Sequence, residues 1–150
     1  MDTKTRFSVL QNTYAAAVAE AVNTYHAFGK LEAVVEHKSK RLEQSASYMI
    51  EQLGVSSVED VFTKLSELFG CARWQIEKTA DGFIATADTC RLCAFSKKMG
   101  GASPCRGWCI DPMTAMIRNI LSKENIESSF RLESTLMDQS QCRLHITVIA

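Results

Sequence analysis

From Phe7 to Phe28 apolar residues recur three or four apart, at Phe7, Leu10, Tyr14, Val18, Val22 and Tyr25, and Ala15, Ala16, Ala17 and Ala19 add strong helix formers. This period predicts a long amphipathic helix closed by Gly29. The same spacing resumes near Leu31 with Val35, Leu42, Met49 and Leu53, opposite a wet side of Glu36, Lys38, Lys40, Arg41 and Glu43, and stops at Gly54. The two helices are expected to form an antiparallel hairpin. Ser56 and Ser57, with Glu59 and Asp60 three residues on, offer overlapping capping boxes for a third helix. Its inward positions are Val61, Leu65 and Leu68, and Gly70 ends it.

At Cys71 the period shortens to two. Trp74 and Ile76 alternate with Arg73, Gln75 and Glu77, Asp81-Gly82 signals a turn, and Phe83 to Thr86 follows, which together predict a β-hairpin. Asp88 to Met99 reads as a short helix with Asp88 as its N-cap and Gly100-Gly101 at its end. Ser103-Pro104 and Asp111-Pro112 are two further cap-plus-proline starts, close enough together to predict a bent or broken helix, with Asp111 as a capping carboxylate. Phe130 to Leu136, a polar turn at Asp138-Gln139-Ser140, and Cys142 to Val148 predict a second hairpin, with Cys142, Leu144 and Ile146 on one face. No linker or repeat divides residues 1–150, so a single domain is expected. The fold class is α+β: N-terminal helices plus a mostly antiparallel sheet of two hairpins with short helices between them.

Seventeen basic residues balance seventeen acidic ones, which argues against a phosphate backbone as partner, so no nucleic acid is expected. The N-terminal segment has no continuous apolar run of signal-peptide type, and no stretch approaches a membrane span. A cytoplasmic protein without a membrane partner is therefore expected, and in that reducing setting cysteines serve as thiols, metal ligands or redox pairs.

Four of the six cysteines crowd into one stretch, Cys90-Arg91-Leu92-Cys93 and Cys105-Arg106-Gly107-Trp108-Cys109. Spacings of three and four put each pair on one helix face, so the pairs can be aimed at each other. Four thiolates so gathered would hold zinc, or an iron–sulfur cluster. A redox reading takes Cys90 as a thiolate favoured by a helix N-terminus and by Arg91, Arg106, Lys97 and Lys98, with Cys93 as its resolving partner. A third reading leaves the thiols as small buried hydrophobes, the expected role of Cys71. Cys142 shares the inward face of its strand and can reach the cluster. His145, three positions on, faces the other way and cannot form a dyad with it, and His26 and His37 flank the turn at Gly29 as surface residues. Met99, Met113, Met116 and Met137, with Phe95, Trp108 and Phe130, are candidates for an adaptable apolar pocket.

The stretch from Cys90 through Cys109 to Glu133–Leu144 resembles the C-terminal half of the vinyl-4-reductase-like domain superfamily and the related L-2-amino-thiazoline-4-carboxylate hydrolase-like family. These close with an acidic residue, a turn, a cysteine and a final strand, and Glu133 and Cys142 stand in comparable places. The resemblance implies helices covering a twisted antiparallel sheet, often as a homodimer, and a pocket for a small organic ligand. Sensory relatives bind zinc near the last hairpin, which makes Cys142 and Glu133 possible additional ligands, although Leu136, Met137 and Asp138 stand where that pattern has a further cysteine. The sequence thus supports a sensor-like ligand-binding domain with a metal centre at Cys90, Cys93, Cys105 and Cys109. The alternatives are a small hydrolase acting on C–N bonds, with Cys90 or Cys105 as nucleophile or holding a catalytic zinc, and a thiol redox protein.

Overall fold

A computed structural model describes residues 1–149. Helix α1 (Thr3–Ala27) begins where the Asp2 carboxylate accepts from the Thr5 amide at 2.7 Å. Helix α2 (Leu31–Leu53) stops at Gly54, whose φ of 67° is a left-handed cap that a side chain would strain. Helix α3 (Val58–Phe69) is capped by Ser57, whose hydroxyl accepts from the Asp60 amide at 3.1 Å. The returning bond of the box goes to Ser56, whose amide and hydroxyl both donate to the Asp60 carboxylate.

Four strands follow the predicted hairpins: β1 (Ala72–Thr79), β2 (Gly82–Cys90), β3 (Glu127–Ser134) and β4 (Cys142–Ile149). They form one antiparallel sheet in the order β1-β2-β4-β3, so the two hairpins meet where Ala85 pairs with Leu144 and Ala87 with Cys142. The α+β architecture expected from the sequence is present. Helix α4 (Arg91–Lys98) and helix α5 (Asp111–Ser122) lie between the hairpins, joined through a π-helix at Cys105–Ile110.

Helices cover one face of the sheet. α3 rests on β1 and α5 on β3, and between them Phe62, Met113, Met116, Ile117, Leu144 and Ile146 are shut from solvent. Removing any of these side chains to alanine costs about 2–5 kcal/mol. The opposite face carries Arg131, Glu133, Arg143 and His145 and stays open, as the strict exposed and half-buried alternation of β3 requires. Among the described residues, no helix is long and apolar enough to cross a membrane.

The structure corrects three local expectations. Asp88 does not cap α4, because β2 runs on through Cys90 and the Cys90 thiol takes the cap position. Asp111 makes no capping bond; its carboxylate lies 3.6 Å from the Arg106 guanidinium. The helical hairpin is loose: α1 packs chiefly on α4 and α2 on α5, with little contact between α1 and α2. Asn23 explains the lean of α1. Its amide donates to the Ser96 hydroxyl at 2.9 Å and to the Ala19 carbonyl at 2.7 Å, while its oxygen accepts from the Ala102 amide at 2.9 Å.

Candidate ligand cavity and thiol cluster

Cys90 and Cys93 stand at the start of α4, and Cys105 and Cys109 on the π-helix that faces it. A π-helix is an α-helix carrying one residue too many, here closed by the Asp111 amide donating five residues back to the Arg106 carbonyl. With Cys142 from β4, these four cysteines line one small apolar void. The Cys93 sulfur lies 3.6 Å from that of Cys105, and the Cys93 amide donates to the Cys90 sulfur at 3.4 Å. Cys71 feels the charge of Cys90, and Cys109 that of Cys71, so all six cysteines of the chain belong to one neighbourhood.

The cluster holds its protons unevenly. Donation from the Cys93 thiol brings Cys105 down to about 7 against the opposing effect of burial, with Ser103 and Thr135 adding hydrogen bonds. The same Cys93 thiol also lowers Cys90, and having two acceptors for one S–H raises Cys93 itself. Burial pushes Cys142 up to about 12 and Cys71 to about 11, and burial also pushes Cys109 well above the usual thiol range. The Cys93 proton thus activates two sulfurs, Cys105 most clearly and Cys90 as well, beside the raised thiols of Cys71, Cys109 and Cys142.

Beside the void lies a cavity of about 240 Å³. The cavity and void share Ala72, Trp74, Leu92 and Cys109 as common wall, so the two spaces are neighbours on either side of those side chains. Met49 and Leu53 from α2, Leu65 from α3, and Met113 and Met116 from α5 make the cavity apolar. Apart from thiols and two indoles, its hydrogen-bonding side chains are Tyr14 and Gln52. Burial raises the Tyr14 hydroxyl to about 12, so it faces the cavity as a neutral donor.

Each predicted site residue has a definite place. Cys90, Cys93, Cys105, Cys109 and Cys142 are brought together. Glu133 is not: it sits at a bulge in β3 on the open face of the sheet, paired with Arg143 at 2.7 Å and His145 at 2.9 Å, with the sheet between it and Cys142. That placement removes Glu133 from the expected ligand set. Five sulfurs suit a soft metal ion chemically, and the Cys93–Cys105 separation is near the about 3.8 Å between two sulfurs on one tetrahedral zinc. Among the described residues, however, no three His, Cys, Asp or Glu side chains stand close enough together to hold a metal ion, so the zinc or iron–sulfur reading requires a third sulfur to rotate onto that pair. No histidine lines the cavity or the void, which leaves no imidazole beside any thiol there.

Of the proposed apolar lining, Met113, Met116 and Trp108 face the cavity. Met99 is exposed, Phe95 packs beneath α1, and Phe130 and Met137 join the main core. Sequence reasoning missed Tyr14, Gln52 and Cys71 as cavity residues and Ser103 and Thr135 as neighbours of Cys105. Ser103 alone had a readable signal, two residues before that cysteine at the start of a helix. No protein-family model matches the chain, and no curated protein and no solved structure is significantly similar to it.

Proposed function

We propose that this domain binds a small, largely apolar organic molecule in the 240 Å³ cavity, with the thiol cluster at the inner end of the site. The observation that carries this reading is the apolar cavity set wall to wall with the thiol void, Cys109 lining both. A cavity of about 150 Å³ is enough to take up benzene, so this one has room for a larger body. Its wall is apolar with a few convergent polar groups, the pattern of a ligand site rather than of a packing fault. The resemblance to ligand-binding vinyl-4-reductase-like domains points the same way.

Octan-1-ol is a suitable first probe. Titration calorimetry should show one molecule bound per chain, together with a rise in unfolding temperature that grows with alcohol concentration. Leu65→Phe, which fills the cavity from α3, should abolish both effects while leaving the fold intact. Absence of heat and of stabilisation with the native chain would rule the reading out.

A further inference from the structure

Outside the cavity, the loose packing of α1 against α2 leaves a groove of about 550 Å³. Trp108 belongs to the walls of both groove and cavity, so its indole stands between them. On α2 the transition takes a single residue: Arg41 and Lys38 line the groove and Leu42 lines the cavity. The groove also presents Lys30 and His37, and no carboxylate lines it. In a chain with equal numbers of acidic and basic residues, that is a local concentration of one sign.

The aromatic floor is ordered. Tyr25 stacks on Trp108 with centroids 6.2 Å apart, and the Lys38 ammonium lies 5.0 Å over the indole. Among the described residues, no carboxylate comes within ion-pair distance of Lys30, Lys38 or Arg41. The nearest acid whose charge Lys38 feels is Asp111, which is occupied by Arg106. Burial and the like charge of Arg41 both press on the Lys38 ammonium, a pressure that an incoming anion would relieve.

We propose that this groove is the mouth of the cavity and holds the anionic head of an amphipathic ligand, on Lys38 and Arg41, while the apolar body lies past Trp108 in the cavity. The ligand class is then an organic acid with an uncharged hydrophobic body, such as a medium-chain carboxylate. The inference rests on the binding role proposed for the cavity and adds the head group that the cavity itself, with no charged side chain on its wall, cannot specify.

Octanoate and octan-1-ol share a chain length and differ in the head, so calorimetry with both separates the two claims. Octanoate is expected to bind more tightly than the alcohol, to weaken as salt is added, and to lose about tenfold in affinity with the double variant Lys38→Gln, Arg41→Gln. Octan-1-ol binding should be unchanged by that variant, which also shows that the variant folds. Equal affinity for the two probes, or loss of both in the variant, would overturn the anionic mouth while leaving the cavity as a binding site. Binding of neither probe would overturn the cavity reading itself.

Discussion

Cys105 differs from the other cysteines by what points at it. A thiol in apolar surroundings stays protonated, as Cys142 and Cys71 do, but Cys105 receives hydrogen bonds from Cys93, Ser103 and Thr135. A pH titration followed by ultraviolet thiolate absorbance should show Cys105 ionising with a midpoint near 7, Cys90 below the ordinary thiol range, and Cys71, Cys93, Cys109 and Cys142 only above it. Cys93→Ala removes the main donor and should move the Cys105 midpoint up toward about 8.5. A lowest midpoint that stays near 8.5 in the native chain would contradict the assignment. The sequence made the gathering of Cys90, Cys93, Cys105 and Cys109 legible through their close spacing, although Cys90 reaches the cluster as the extended cap of α4 and not from a helix face. It could not show which sulfur is ionised. That depends on Thr135, thirty residues further on, and on which acceptor the single Cys93 proton serves.

At the level of elements, periodicity located α1, α2, α3 and the strands of the two hairpins, while cap, proline and glycine signals marked α4 and the start of α5. It failed where the local rule has two solutions. Asp88 is a good N-cap residue, yet pairing of Cys90 with Ala72 of β1 keeps β2 extended past it and hands the cap to a thiol. The lean of α1 onto α4 was equally illegible, since it turns on Asn23 reaching Ser96 and Ala102, seventy-three and seventy-nine residues away in sequence. Asn23→Ala should therefore destabilise the protein by about 2 kcal/mol, because the Ser96 hydroxyl and the Ala102 amide lose a partner in a half-buried place. Urea unfolding checks this, and a cost below about 0.5 kcal/mol would mean that Asn23 does not anchor α1. A second element-level test is Gly82→Ala. A methyl group there would overlap the Ile146 carbonyl across the β2–β4 pair, so the variant should fail to fold or lose several kcal/mol.

For the whole molecule, the uneven protons of the thiol cluster become a pH dependence of stability. Cys105 is ionised in the folded chain between about pH 7 and 9 while the unfolded chain keeps its proton, so this thiol adds stability as pH rises through that window. Cys71, Cys109 and Cys142 act in reverse. Their folded values lie above the unfolded value of about 8.5, so above it the unfolded chain ionises first and stability falls by up to about 1.4 kcal/mol per pH unit for each thiol. Urea unfolding between pH 6 and 11 should give a maximum near pH 8.5 to 9 and a steep alkaline decline. A flat alkaline limb would show that the thiols are not buried as described. The π-helix gives the molecule another kind of adjustability. Because Cys105–Ile110 holds one residue more than an α-helix needs, losing a single residue there would let the turn relax and swing Cys105 away from Cys93 while α5 kept its seat in the core. Gly107 is the natural one to lose, having no side chain and lying close to Val35 of α2. Deleting Gly107 is thus expected to part Cys105 from Cys93 and leave the cavity in place.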